Sequence, residues 1–92
     1  MDEEKKISYC AIFQFESDGI NIDYPDLQGC LSCAYSKEQS MQMAAEALSL
    51  WLSGMKYSEL PPPTSAGAII CQPNESVYTI TVQVQIKNGY II

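Results

Sequence analysis

Four cysteines and eleven carboxylates are the side chains of this chain whose types could do chemistry, and the absence of histidine narrows what that chemistry could be. Cys30 and Cys33 have the C-x-x-C spacing of half a zinc site or of a redox pair. A tetrahedral ion needs both sulfurs on one side, whereas strand residues three apart point to opposite faces, and Cys10 and Cys71 are isolated in the sequence. A redox pair normally opens a helix whose N-terminus lowers the thiol pKa, and this pair precedes its helix by a short strand. Both cysteines are therefore expected to pack as small buried hydrophobes.

Among the carboxylates, Asp18, Asp23 and Asp26 flank one short apolar-alternating segment. Asp18 and Asp26 suit turns, where the side chain bonds nearby backbone amides. Asp23 falls mid-strand on the polar face, where a carboxylate gains little unless something basic meets it. The three are the expected partner-binding charges, with Asp23 foremost. A two-metal nuclease would need several carboxylates converging on paired cations. The stretches Tyr9 to Phe15 and Val77 to Ile86 contain none, and Glu46 alone cannot complete such a cage. With no histidine, no hydroxyl or thiol beside a base and no carboxylate pair, the chain is expected to be no enzyme, with no catalytic residue, metal or cofactor.

The elements that would position these residues follow from periodicity. Residues 1–7 are charged and expected to be a flexible start, with a single domain over 8–92. Tyr9, Ala11, Phe13 and Phe15 alternate with Cys10, Ile12 and Gln14, predicting a first strand, and Ser17-Asp18-Gly19 predicts a hairpin turn. Ile20, Ile22 and Tyr24 form the apolar face of a second strand that Pro25 ends. Gly29 permits a tight return into a third strand, where Leu31, Cys33 and Tyr35 oppose Cys30, Ser32 and Ala34. Ser36 and Gln39 have capping-box spacing, and Met41, Ala44, Ala45, Leu48, Leu52 and Met55, widened by Leu50 and Trp51, predict an amphipathic helix. Gly54 weakens its last turn, and Pro61-Pro62-Pro63 forbid continuation past Leu60. Tyr78, Ile80, Val82, Val84 and Ile86 then alternate with polar partners in a long fourth strand, and Asn88-Gly89 leaves only three residues to pair beyond it.

The expected class is α+β, in the order β-β-β-α-β. The helix is expected to cross, in a right-handed connection, from strand three to a strand four parallel to strand one, giving a mixed four-stranded sheet ordered 3-2-1-4 with one helix on one face. That arrangement is an abbreviated RNase H-like one. The other face is left open, and a small sheet with apolar side chains on an open face often closes by self-association into a dimer or higher homo-oligomer.

Composition bounds the partners. At 92 residues with 47% hydrophobic content the chain is one small folded domain. Its net charge of −6, with 11 acids against 5 bases, disfavours a phosphate-tracking surface and favours a basic protein partner. The apolar stretch after Lys5-Lys6 is broken by Ser8, Gln14 and Glu16, short of the roughly 18 residues a spanning helix needs. A cytoplasmic chain with no membrane contact and with reduced cysteines is expected.

Tyr24-Pro25-Asp26-Leu27-Gln28-Gly29-Cys30, the Ser36-capped helix with Ala44-Ala45-Glu46-Ala47-Leu48, and the exit Leu60-Pro61-Pro62-Pro63-Thr64 together resemble the HicB antitoxin family over Tyr9 to Thr64. The resemblance makes Pro25, Asp26, Gly29, Cys30, Ser36, Ala44, Glu46 and Leu48 the structural motif, with a packing role for Cys30. It also implies a function: an antitoxin or immunity-type domain that neutralises a small basic mRNA-cleaving toxin of the HicA kind by masking its RNA-binding surface. The alternative is a stand-alone homo-oligomeric domain of the same fold that binds a small ligand or another protein. HicB chains usually continue into a helix-turn-helix or ribbon-helix-helix module. Beyond Ile86 there is no room for two helices and no basic stripe, so no DNA binding is expected from this chain. Gln39-Ser40 and Tyr35 depart from the Glu-Ala and Asp common at those points in the family.

Poor ligand spacing gives the first prediction. Tag-free protein carries no stoichiometric metal, and elemental analysis finding one tightly held zinc per chain would reverse the reading of the cysteines.

Overall fold

The computed structural model describes residues 3–92. Its elements are β1 (Glu3–Glu16), β2 (Gly19–Asp23), β3 (Leu31–Ala34), α1 (Lys37–Leu52), two 3₁₀ turns (Tyr57–Glu59 and Ala66–Ala68), β4 (Glu75–Lys87) and β5 (Tyr90–Ile91). The strands form one five-stranded sheet ordered β3-β2-β1-β4-β5, antiparallel at every step. One helix packs on one face, as expected. Four expectations change.

The first concerns direction. β4 runs antiparallel to β1, from Glu3 opposite Ile86 to Gln14 opposite Glu75, so the sheet is not mixed. A direct crossover from α1 would have entered β4 beside the helix C-terminus. Instead the chain from Ser53 to Asn74 travels back along the molecule. Tyr57 N–H donates to Gly89 O at 2.9 Å near one end of the sheet, and Phe15 N–H donates to Asn74 O at 2.9 Å at the other. That return adds one more pass along the sheet and reverses β4. The expected RNase H-like arrangement included a parallel β1–β4 pair, and the antiparallel pairing does not confirm it.

The second is strand number. Asn88 (φ 55°) and Gly89 (φ 84°) make the left-handed pair of a tight hairpin turn, and Tyr90–Ile91 pairs back onto β4 as a fifth strand. Two residues suffice because Ile91 is buried and tied on its far side, its N–H donating to Met55 O at 2.9 Å. The third is the start. Residues 3–7, read as flexible, are the first part of β1 and are paired with Val82–Ile86. Met1 and Asp2 of that segment lie outside the described residues.

The fourth is the helix. Ser36 caps it, its Oγ accepting Gln39 N–H at 3.3 Å, but Gln39 Oε1 accepts from Tyr35 N–H at 3.4 Å, so the reciprocal half of the box reaches one residue further back. The helix ends at Leu52, well before the prolines. Its core row is Ser40, Ala44, Leu48 and Leu52, all buried, while Met41 and Leu50 face solvent. Ser40 is tolerated inside because its hydroxyl donates to Lys37 O at 2.7 Å.

Under the helix the core joins Ile7, Tyr9, Ala11 and Phe13 of β1, Ile20 and Ile22 of β2 and Ile80, Val82, Val84 and Ile86 of β4. Alternation in these strands is as the sequence predicts: Asn21, Asp23, Thr79, Thr81, Gln83 and Gln85 are exposed. The opposite face is polar along β4, while β3 carries exposed Leu31 and Cys33 on it. There Ser8 Oγ and Thr81 Oγ1 lie 2.6 Å apart, and Gln83 Nε2 donates to Glu4 at 2.6 Å.

Two leucines on one helix therefore separate. Leu48→Ala is expected to lower the unfolding free energy by about 2 to 5 kcal/mol through the cavity it opens. Leu50→Ala, at 79% exposure, is expected to change it by less than ~0.5 kcal/mol. Urea denaturation of both variants checks this.

Candidate protein-contact site

The Tyr24–Cys30 turn is built by the residues of its motif. Pro25 ends β2, and the loop closes with Tyr24 N–H donating to Cys30 O at 3.2 Å and Cys30 N–H donating to Leu27 O at 3.0 Å. Gly29 takes φ 84°, a left-handed conformation that a side chain would oppose. Leu27 is fully buried. The turn is then fastened to α1 at three points. Tyr24 Oη donates to Ala44 O at 2.7 Å, Cys30 Sγ donates to Ala47 O at 3.6 Å, and Trp51 Nε1 donates to Gln28 O at 3.1 Å. Ala44 is fully buried, and its small side chain allows this approach. Glu46 is exposed and accepts from Gln42 Nε2 at 3.2 Å.

Asp26 has a separate task. Both its oxygens are engaged by Thr64, whose N–H and Oγ1 donate to them at 2.7 Å each. Nearby, Tyr9 Oη donates to Pro61 O at 2.5 Å. Asp26 is thus committed to holding the return segment, although it is only partly buried.

The three aspartates do not converge. Asp18 sits in the β1–β2 turn at one end of β2, and Asp23 at the other, opposite Ile12 on β1 and Leu31 on β3. Among the described residues no three His, Cys, Asp or Glu side chains are grouped so as to hold a cation. The two cysteines of the C-x-x-C part company as strand geometry requires. Cys30 is buried toward the helix, but Cys33 is exposed, so burial holds for only one of the pair. Among the described residues nothing covers the second face of edge strand β3, so Cys33 stays in solvent.

What gathers around Asp23 is a strip of exposed side chains on β2 and β3. Asn21 lies opposite Cys33, Asp23 opposite Leu31, and Leu31 and Tyr35 are 67% and 85% exposed. The sequence carried a signal of this strip, since both alternating sets along β3 and its flanks hold apolar residues, Leu31, Cys33 and Tyr35 on one and Cys30 and Ala34 on the other, and one set is left over when a single helix covers the sheet. The described residues also contain no helix long and apolar enough to cross a membrane.

Fold and strip define a class: a one-helix domain on a curled antiparallel sheet, whose turn motif is fastened to the helix and whose exposed residues on β2 and β3 form a mixed acidic and apolar strip. The family follows from the sequence. Residues 9–89 match the family described as the HicB-like antitoxin of bacterial toxin-antitoxin systems, and the chain belongs to it. A chain of a solved structure, the HicA3 and HicB3 toxin-antitoxin complex, shares the fold with a TM-score of 0.60 at 18% identity, over 80% of this chain and 95% of that one. At that identity the likeness is one of fold. No curated protein matches the sequence.

Burial sets the behaviour of Cys30 with pH. Desolvation, aided by the Asp23 carboxylate, pushes the Cys30 thiol up from 9.0 to about 11, and burial likewise raises Tyr24 and Tyr9, the latter also through Asp26 and Tyr57. A raised folded-state pKa means that the unfolded chain loses its proton first. Stability is therefore intact below about pH 9 and falls as pH rises toward 11 through Cys30, with the tyrosines extending the loss above that. Denaturation midpoints measured from pH 7 to 11 should decline in that window, and at pH 8 a thiol reagent should label exposed Cys33 long before Cys30.

Proposed function

We propose that this antitoxin domain neutralises a small, basic, mRNA-cleaving toxin of the HicA kind by covering its RNA-binding surface, acting in the cytoplasm and doing no chemistry of its own. The observation that carries this reading is the family match over residues 9–89. The charge of −6 supports it, because a protein that grips RNA must present cations to phosphates, and an acidic domain is their natural competitor. Asp23, exposed on the face of β2 away from the helix, supplies a carboxylate for such a contact. Asp18 contributes to steering from its exposed turn, while Asp26 acts indirectly, through the segment it holds.

The same domain self-associates, a reading favoured by the uncharged, exposed side chains of β3. It is also what a stand-alone oligomer would use if it met no toxin.

Co-expression of the chain with the toxin-like product of a neighbouring reading frame should restore host growth. Asp23→Lys should weaken that rescue and slow association several-fold while leaving the circular dichroism spectrum unchanged, and the wild-type on-rate should fall as salt shortens the Debye length below ~10 Å. Unrelieved arrest with abundant, folded domain would discard the toxin-masking reading.

A further inference from the structure

The sheet has two edges, and one of them is already covered. Beyond β5 the segment after α1 pairs with the strand: Gly54 N–H donates to Ile91 O at 2.6 Å, and Lys56 bridges Tyr90. β3 forms the opposite edge, and among the described residues no strand lies beyond it. Its register fixes which backbone groups are left over. Tyr24 and Cys30 are joined by a backbone hydrogen bond, so alternation along the antiparallel ladder makes Ile22–Ser32 and Ile20–Ala34 hydrogen-bonded pairs as well. Asp23–Leu31 and Asn21–Cys33 are then the non-bonded pairs. The N–H and C=O groups of Leu31 and Cys33 point away from β2, out of the open edge.

Edges of this kind are ordinarily blunted by charge, proline or a bulge. From Cys30 to Ser36 the chain has no charged residue and no proline, and the side chains standing over the edge are exposed Leu31, Cys33 and Tyr35. We propose that this edge pairs with β3 of a second copy of the chain, antiparallel about a two-fold axis at Cys33, so that two five-stranded sheets become one. This deepens the self-association reading and is independent of the toxin. An axis at Cys33 sets Cys33 against its own copy and Leu31 against Tyr35 on one face, which brings all the exposed apolar side chains of both edges together. It also pairs the outward groups of Cys33 as a hydrogen-bonded site, the type that the register leaves vacant.

Charge selects the occupant. Each copy carries −6, so two copies meet with least repulsion at an uncharged strip, while a basic partner gains no electrostatic attraction there. Asp23 stands one strand in from the edge and is separated from its counterpart by both β3 strands. The seam is short. It falls below the ~800 Å² per partner of a standard interface, so the dimer is concentration-dependent.

Sedimentation velocity on the full chain from roughly 10 µM to 1 mM, a range spanning weak association, tests this. Wild type should pass from monomer to dimer, as should the control Leu50→Lys/Ile70→Lys, which charges exposed apolar positions elsewhere. Leu31→Lys/Tyr35→Lys should weaken dimerisation at least tenfold with an unchanged circular dichroism spectrum. In a Cys71→Ser background a short bismaleimide should link two copies, and Cys33→Ser should abolish the link. A monomer at every concentration would overturn both the edge pairing and the self-association reading. A dimer that ignores the edge lysines, or a cross-link that survives Cys33→Ser, would overturn the β3 assignment alone. Edge lysines that abolish rescue from the toxin in a chain that is always monomeric would give the edge to the toxin instead.

Discussion

The two hydrogen bonds that Thr64 gives to the Asp26 carboxylate decide how the second half of the chain is laid on the first. The stretch Ser53 to Asn74 contains no strand and must return along a molecule whose long axis is 46 Å. Prolines 61 to 63 make it stiff and extended, at ~3.1 Å per residue in a polyproline conformation, but they have no N–H to donate. Thr64 is the first residue beyond them that can. It spends both its donors on one ionised acceptor, in bonds worth about 1.5 to 3 kcal/mol each when charge-assisted. With Tyr9 Oη on Pro61 O just before it, the segment is fixed at mid-span, and β4 enters the sheet from the end where β1 finishes.

The same aspartate belongs to the turn that docks on α1, so one short stretch couples three parts of the fold. Tyr24 and Cys30 donate to helix carbonyls, Gln28 receives the Trp51 indole, and Asp26 reaches outward to the return segment. This explains why the motif combines residues with no common chemistry. Proline stops the strand, glycine turns the chain, leucine fills the core, cysteine fits under the helix and aspartate ties the loop. A reaction centre would require such groups to point at one spot. Here they point in different directions because each holds a different neighbour.

Strand faces and the helix cap were legible because they are local. The alternation of Tyr78 to Ile86, the polar set of Asn21 and Asp23, and Ser36 ahead of its helix each depend on a few adjacent residues, and each stands where the sequence puts it. Strand direction was not legible. Periodicity reports which face a side chain takes but not the end from which a strand enters, and that depended on a long connection whose anchor, Asp26, read as an ordinary turn residue. β5 was missed because two residues are too few to show a period, and its stability comes from bonds to Met55 and Gly54 far away in sequence. On the helix the apolar residues outnumber those a curled sheet can cover, so Met41 and Leu50 fell outside the buried row and Ser40 fell within it. The candidate charges were legible as exposed or turn-bound, but not as separate, because their separation is the length of β2.

Placing Asp23 next to an uncharged edge has a consequence for how two partners could share so small a domain. A sheet edge offers hydrogen bonds in its own plane, whereas a sheet face offers side chains above it, so a strand added to the edge leaves the face free. Two copies joined through β3 would present one continuous face with an Asp23 on either side of an apolar seam, where Leu31 and Tyr35 of the two copies pack against one another. A basic partner arriving at that face then meets carboxylates without competing for the leucine and tyrosine beside them. The division is electrostatic in origin: neutral surface is where like-charged copies can touch, and charged surface is where an oppositely charged protein gains most.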